Sequence, residues 1–179
     1  MTNLKLVTIS GSLRKGSYNR MLLAEAVEAF GPADVTEADI DLPLYNGDVE
    51  AASGVPAAVQ TLAQQIKDAD AVVISAPEYN KGISGVLKNA LDWISRVEGA
   101  AFKDKPTVVL SAAAGRTGGE TAQFMTLSCL TQLQARLMPG TSILIAAAMN
   151  AFDDTGKLKD EMSRKLLATR MQALRAEVA

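Results

Sequence analysis

The hydrophobic positions of the chain fall into two alternating patterns. Short runs rich in Val, Ile and Leu predict five strands, over residues 4–9, 35–40, 71–76, 107–112 and 142–147. Between them, segments whose apolar positions recur every three or four residues predict helices over 17–30, 56–68, 84–97, 119–138 and 157–178. Strands that alternate with helices favour a parallel sheet covered on both faces. The pattern therefore predicts one doubly wound α/β domain, with a five-stranded parallel sheet in the order 2-1-3-4-5.

Apolar stripes indicate where the helices pack. The last helix places four apolar side chains on one face, at Leu167, Met171, Leu174 and Val178. The helix over 119–138 is expected to bury Met125, Leu127, Leu130, Leu133, Leu137 and Met138, with Cys129 as a small buried hydrophobe. The stripe over 84–97 is wider than one sheet contact needs, so Trp93 either roofs the core edge or meets another subunit. Residues 41–55, rich in Asp, Asn, Gly and Pro, predict an irregular loop.

Length, charge and cysteine content narrow the class of protein. The 179 residues fit one domain, and 48% hydrophobic with 21% charged residues is an ordinary globular balance. A net charge of −2 and a pI of about 5.2 argue against a nucleic-acid-binding surface. No apolar run reaches the roughly 18 residues of a membrane span, and residues 1–6 lack a signal-peptide pattern. With Cys129 as the single cysteine, no internal disulfide forms and a cytoplasmic location is expected.

Histidine is absent from the sequence. With no histidine and one cysteine, Ser-His-Asp triads, Cys-His pairs and the usual zinc sites are excluded, and no metal site is expected. An enzyme of this composition relies on a bound cofactor, on carboxylate or lysine chemistry, or on binding alone.

The loop after the first strand has the chemistry of an anion site. In doubly wound sheets, ligands bind at the carboxyl ends of the strands, beside the point where the strand order reverses. The loop over 11–19 lies there and combines tight-turning glycines, polar donors and a guanidinium, at Gly11, Ser12, Arg14, Ser17 and Asn19. It lacks the Gly-Lys-Ser/Thr of a P-loop and the cysteine of a phosphatase loop. The pattern indicates a phosphate site, and an ordinary capped turn with a solvated Arg14 is the alternative.

The loop after the third strand flanks the same point of the sheet, over residues 77–82. Tyr79 offers a flat face, Asn80 both a donor and an acceptor, and Gly82 a close approach of the backbone to a planar ring. Taken alone, this loop is more typical of a proline-led turn with an exposed tyrosine. Beside a phosphate loop it indicates a mononucleotide site, with a planar ring on one side and a phosphate on the other.

Three motifs follow one another in a specific order. They are Gly11-Ser12-Leu13-Arg14 with Ser17 and Asn19, then Pro77-Glu78-Tyr79-Asn80, then SGVLKNALDW from Ser84 to Trp93. Together they resemble the NAD(P)H-dependent FMN reductase family, which contains bacterial chromate and quinone reductases and small azoreductases. The similarity of layout extends from Leu4 to about Ala176. It implies that residues 1–179 form a single flavodoxin-like domain, a three-layer sandwich.

The resemblance also implies roles for individual residues. The positions that hold the FMN phosphate in the family are matched by Ser12, Arg14, Ser17 and Asn19, in the loop that Gly11 opens. The loop against the isoalloxazine ring is matched by Pro77, Glu78, Tyr79, Asn80 and Gly82. A second flavin-contacting loop of the family falls on residues 111–118, with Ser111, Gly115 and Arg116. Arg116 either meets an anionic acceptor or a nicotinamide phosphate, or is an ordinary solvated arginine.

The partners implied by the resemblance are FMN, NADPH or NADH as co-substrate, and a small electron acceptor. The expectation is a ping-pong oxidoreductase that passes a hydride from the nicotinamide to FMN. Two electrons then go to a quinone, chromate, an azo compound, a ferric chelate or free flavin, and no side chain is assigned as acid or base. A homodimer or a dimer of dimers, whose partner chain completes the flavin pocket, is also implied. The alternatives are a flavodoxin-type carrier without nicotinamide reactivity and a flavin-free nucleotide-binding regulator.

Overall fold

The computed structural model describes residues 3–179 and has a central parallel sheet between two layers of helices. The strands are β1 (Lys5–Ser10), β2 (Asp34–Ala38), β3 (Ala71–Ser75), β4 (Glu78–Tyr79), β5 (Gly82–Ile83), β6 (Pro106–Ala112), β7 (Arg136–Leu137) and β8 (Ile143–Ile145). The helices are α1 (Tyr18–Phe30), α2 (Gly47–Ser53), α3 (Ala57–Asp68), α4 (Gly85–Ile94), α5 (Glu120–Gln132), α6 (Ala148–Ala151) and α7 (Glu161–Val178). Among these helices, none combines the length and apolarity needed to cross a bilayer.

The sheet has the order β2-β1-β3-β6, and two short strands share its fifth position. β7 pairs with residues 106–107 at the start of β6, and β8 pairs with residues 110–112 at its end. Every pairing in this sheet is parallel. With the shared position counted as the fifth strand, the predicted order 2-1-3-4-5 is confirmed. β4 and β5 form a separate antiparallel hairpin.

Two apolar clusters fill the space on either side of the sheet. Successive side chains of a strand point to opposite faces, so Val72 and Ile74 face α3, α4 and α5, whereas Val73 faces α1 and α7. The stripe predicted for the last helix is confirmed, since Leu167, Met171 and Leu174 are buried and Val178 packs beside them. The helices therefore cover the sheet and leave its carboxyl edge free for loops.

The prediction of an irregular loop over 41–55 is wrong, because the segment contains α2. The side chain of Asn46 caps this helix by accepting a hydrogen bond of 2.9 Å from the N–H of Asp48. Gly54 ends it with a φ of 75°, a left-handed conformation that glycine adopts without steric cost. Residue types that are common in loops act here as the two caps of a short helix.

Trp93 belongs to the core. Its side chain is 1% exposed, and its Nε1 donates to the carbonyl of Pro43 at 2.7 Å. Its ring meets that of Tyr45 edge-on, with the centroids 4.9 Å apart. The segment before α2 thus covers this part of α4, which confirms that Trp93 roofs the core edge and leaves it no surface for a subunit contact.

Three helices are shorter than predicted. α4 ends at Ile94, α5 ends at Gln132, and α7 begins at Glu161. α5 stops because Gln134 adopts a φ of 61°, which turns the chain into β7. The expectation that Met125 is buried is wrong, since it is 39% exposed beside a Phe124 that is 72% exposed. Cys129, expected to be buried, is half-buried at the core edge.

Candidate functional site

The carboxyl ends of β1, β3 and β6 meet at one edge of the sheet. The strand registers place Ser10 beside Ser75, and Ser75 beside Leu110. The loops that follow these strands, over 11–17, 76–82 and 113–119, therefore lie side by side. All candidate residues from the sequence fall in these loops, near the end of β6 or in the first turn of α1. Residues far apart in the chain are thus brought to one edge.

Gly11 joins the first two loops. Its N–H donates to the carbonyl of Ser75 at 2.8 Å, and its carbonyl accepts from the hydroxyl of Ser84 at 2.7 Å. A Cβ at this position would lie 2.6 Å from Cδ of Pro77, closer than packed atoms approach. Only glycine therefore fits where the loops touch.

The N-terminus of α1 forms one end of the site. The hydroxyl of Ser17 caps the helix by accepting from the N–H of Asn19 at 3.2 Å. Ser12 is buried, whereas Arg14 is exposed and donates to the carbonyl of Gly16 at 3.0 Å. A helix N-terminus with hydroxyls and a guanidinium nearby is a donor set suited to a phosphate group.

The side chain of Asn19 is bonded to the sheet. Its Nδ2 donates to the carbonyl of Ala112 at 2.8 Å. Its Oδ1 accepts from the hydroxyl of Ser75 at 2.8 Å and from the N–H of Ala112 at 3.0 Å. All these groups are buried, so this side chain ties α1 to the ends of β3 and β6.

The hairpin of β4 and β5 forms the other end of the site and packs on α5. Tyr79 is 52% exposed, and a Cβ on Gly82 would lie 3.6 Å from the sulfur of Met125. Asn80 and Lys81 form the turn of the hairpin. The hairpin thus presents a flat aromatic side chain and backbone groups to solvent at the rim of the edge.

Glu78 begins the hairpin, and its carboxylate points to the N-terminus of α5. Its Oε2 accepts from the N–H groups of Thr121 and Ala122 at 3.0 and 3.3 Å, and its Oε1 lies 3.3 Å from Nζ of Lys81. Partial burial raises the pKa of the Glu78 carboxyl, but the donors from Ala122, Lys81 and Thr121 together outweigh burial. The pKa therefore lies below its ordinary value.

The third loop is fixed from below by Ser111. This buried hydroxyl donates to the carbonyl of Ala76 at 2.6 Å, and a Cβ on Gly119 would collide with it. Gly115 and Arg116 are exposed at the top of the loop. Ser111 therefore shapes the floor, while Gly115 and Arg116 face solvent.

Ser75 and Ser84 also join the loops of the candidate site, although no sequence pattern predicts a role there for either residue. Ser75 bonds to Asn19 and Gly11, and Ser84 bonds to Gly11 while its hydroxyl also caps α4 by accepting from the N–H of Leu87 at 3.3 Å. A serine before an apolar helical run signals the cap. Nothing local signals the bond to a residue 73 positions away.

A cavity of about 760 Å³ lies beside this edge, between α1 and the exposed face of β2. Its charged lining includes Lys15 and the ion pair of Arg20 with Glu37. The Nε of Arg20 is buried and has no hydrogen-bond partner among residues 3–179. None of the candidate residues lines this cavity, but Leu13 and Lys15 do, so it adjoins the loop over 11–17 and not the loops over 76–82 and 113–119.

The model of a known family matches most of the chain. Residues 4–150 match the NADPH-dependent FMN reductase family. The chain belongs to this family. An NAD(P)H-dependent FMN reductase of Pseudomonas aeruginosa is 44% identical over 174 residues, which are 96% of this chain and 94% of that protein. A quinone reductase of Escherichia coli strain K12 is 38% identical over 163 residues, which are 88% of this chain and 86% of that protein.

Solved structures agree with this assignment. FerB, a flavoenzyme NAD(P)H:acceptor oxidoreductase from Paracoccus denitrificans, has a TM-score of 0.86 at 30% identity and covers 98% of this chain and 97% of its own. An azoreductase from Bacillus anthracis, with a TM-score of 0.63 at 19% identity over 99% and 100% of the two chains, shows the shared fold alone. The predicted family, flavodoxin-like fold, oxidoreductase class and FMN and NAD(P)H cofactors are confirmed.

The residues present at the edge fit FMN. One end offers a helix N-terminus with hydroxyls and Arg14, which suits a phosphate, and the other offers the exposed Tyr79 hairpin, which suits a planar ring. Between the two ends, Gly11 carries no side chain at the point where the loops touch. Its missing Cβ lets the loops over 11–17 and 76–82 approach each other closely.

Proposed function

We propose that this chain binds FMN across its three-loop edge and carries two electrons from NADPH or NADH to a small acceptor, with quinones foremost. The proposal rests on hydrogen bonds that join the loop expected to hold the phosphate to the strand end that leads into the loop expected to hold the ring. In these bonds Ser75 accepts from the N–H of Gly11 and donates to the side chain of Asn19. The FMN and quinone reductases among the relatives support the choice of cofactor and acceptor. Bound FMN supplies the chemistry by accepting a hydride and later releasing two electrons. The cytoplasm, a reducing compartment, suits a chain with one cysteine.

Each loop has a separate task in this proposal. The first turn of α1, with the hydroxyls of Ser12 and Ser17 and the guanidinium of Arg14, holds the phosphate. Asn19 contributes by fixing α1 to the sheet. The backbone of the hairpin and of residues 113–118 lines the ring, and its N–H groups stabilise negative charge that develops there. The loops that make these contacts are shaped by Pro77, Glu78, Gly82, Ser111 and Gly115.

The site has one open side, at Tyr79 and Arg116, so we propose that nicotinamide and acceptor use it in turn. Initial rates measured against NADPH at several fixed concentrations of a benzoquinone are expected to give parallel double-reciprocal lines. Intersecting lines would show that both substrates bind together. A flavodoxin-type carrier would consume no NADPH with the quinone, and a flavin-free regulator would take up no FMN.

Replacing Arg14 with alanine is expected to weaken FMN binding about tenfold, because one charge-assisted hydrogen bond to the phosphate is lost. Riboflavin, which lacks the phosphate, is expected to bind the variant and the parent equally. Quenching of flavin fluorescence on titration gives both dissociation constants. Lys15→Ala is the matched control and should change neither dissociation constant. If Arg14→Ala weakens the binding of FMN and riboflavin equally, Arg14 does not contact the phosphate.

We further propose that a second copy of the chain covers the apolar surface of α5 beside the hairpin, where Phe124 and Met125 are exposed. Phe124→Glu is expected to halve the molar mass seen by light scattering at micromolar concentration, because a buried charge at an interface is unfavourable. Met162→Glu, at another well exposed apolar position, on α7, is the control and should keep the parent mass. A monomeric parent protein would contradict the dimer.

A further inference from the structure

The turn of the hairpin is held in a strained conformation. Asn80 and Lys81 have φ values of 50° and 64°, in the left-handed region. Asparagine tolerates this region, but lysine is sterically unfavourable there, so contacts beyond the backbone of the turn help to maintain the conformation. Two such contacts are present, the pairing of Lys81 with Glu78 and the bonds of Glu78 to α5. Both depend on the Glu78 carboxylate.

The same carboxylate connects two segments that are far apart in sequence. Thr121 is 43 positions from Glu78 and lies in the first turn of α5, which follows the loop over 113–119. Beneath them, the bond from Ser111 to the carbonyl of Ala76 already joins the two strand ends. Glu78 makes the second connection, from the hairpin to the N-terminus of α5. These two connections fix the position of the hairpin relative to the loop over 113–119.

Burial makes this connection strong. The side chain of Glu78 is 9% exposed, whereas that of its partner Lys81 is 72% exposed. A carboxylate removed from water must be compensated by donors, and two helix N-terminal N–H groups are among the best available. Thr121, Ala122 and Lys81 occupy both carboxylate oxygens, so Glu78 is not arranged to touch the flavin itself.

We propose that Glu78 is a positioning residue for the bound flavin, bridging the hairpin to the N-terminus of α5 and so fixing both ring-lining segments at once. This rests on the proposed flavin function and deepens it. The carboxylate acts through the backbone of the hairpin and through its negative charge near the ring. Two measurable properties follow: the affinity for the ring portion of the flavin, and the reduction potential of the bound cofactor.

The test compares Glu78→Gln with Glu120→Gln. Both variants remove one negative charge at the start of α5, but Glu120 is exposed in the first turn of α5 and, within residues 3–179, its side chain makes no hydrogen bond or ion pair with the hairpin. We expect Glu78→Gln to weaken FMN and riboflavin alike, by about tenfold, the effect of losing one charged hydrogen bond. The two-electron potential of bound FMN should rise, because reduction adds negative charge and the variant has removed one. Glu120→Gln should leave both properties as in the parent.

Lys81→Ala is a second test variant. The Lys81 side chain is exposed, so its removal is not expected to prevent folding. The substitution removes one of the two contacts that hold the turn, and we expect both flavins to bind about threefold more weakly. If Glu78→Gln and Lys81→Ala both bind flavins as Glu120→Gln does, with an unchanged potential, the positioning role is overturned. If the parent protein itself binds no FMN, the proposed function fails instead, so the two failures are distinguishable.

Discussion

Replacing Asn19 with alanine is expected to lower the free energy of unfolding by about 3 kcal/mol, since it leaves buried polar groups without partners. The groups concerned are the N–H and C=O of Ala112 and the hydroxyl of Ser75. In a domain of this size, such a loss corresponds to a fall in melting temperature of about 6–12 °C. FMN affinity should fall as well, because α1 is no longer tied to the strand ends that carry the other loops.

Asn150→Ala is the control for this experiment, because Asn150 is exposed in α6 and, within residues 3–179, its side chain makes no hydrogen bond to the three loops. Differential scanning fluorimetry and flavin titration on both variants separate a local effect from a general one. A melting temperature of Asn19→Ala equal to that of Asn150→Ala would show that the three hydrogen bonds contribute nothing to the stability of this edge.

The second large effect is expected at Gly11. An alanine there brings its methyl group against Pro77, and overpacking of this kind costs about 1–3 kcal/mol. The clash is relieved most easily by moving the loop over 76–82, which our account assigns to the flavin ring. We therefore expect Gly11→Ala to weaken both FMN and riboflavin at least tenfold, that is by at least about 1.4 kcal/mol.

Gly16 offers a control within the same loop. An added Cβ at Gly16 meets nothing within 4 Å, and its backbone is not in the left-handed region. Gly16→Ala should therefore bind both flavins as the parent does. If Gly11→Ala retains parental affinity for riboflavin, the contact between the loops does not shape the ring site.

Local signals in the sequence were sufficient for the sheet order and for the start of α1. Ser17 precedes an apolar helical stripe, which is the usual signature of a cap, and the structure shows its hydroxyl in that role. The strand over 71–76 was equally clear, since a run of apolar β-formers between polar residues predicts a buried central strand. Parallel strands of a doubly wound sheet end at one edge, so the sequence also predicts that the candidate residues meet there, as the structure shows.

The hydrogen-bond partners of polar side chains could not be predicted, because they belong to distant parts of the chain. Asn19 was assigned to the phosphate, and the structure shows its amide bonded to Ala112, 93 positions away. Glu78 was assigned to the ring loop, and its carboxylate is bonded to α5. α2 was not predicted for the same reason. Its caps, Asn46 and Gly54, are residue types that are common in loops, and the contacts of the preceding segment with α4 involve residues distant in sequence.

FMN bound at this edge is expected to react directly with a nicotinamide nucleotide. The most direct measurement is the absorbance of FMN-loaded protein mixed with NADPH, and separately with NADH, in the absence of oxygen. Our account predicts that the yellow colour is bleached within seconds by at least one nucleotide and returns when a benzoquinone is added. Protein that takes up no FMN, or whose bound flavin keeps its colour with both nucleotides, would contradict it.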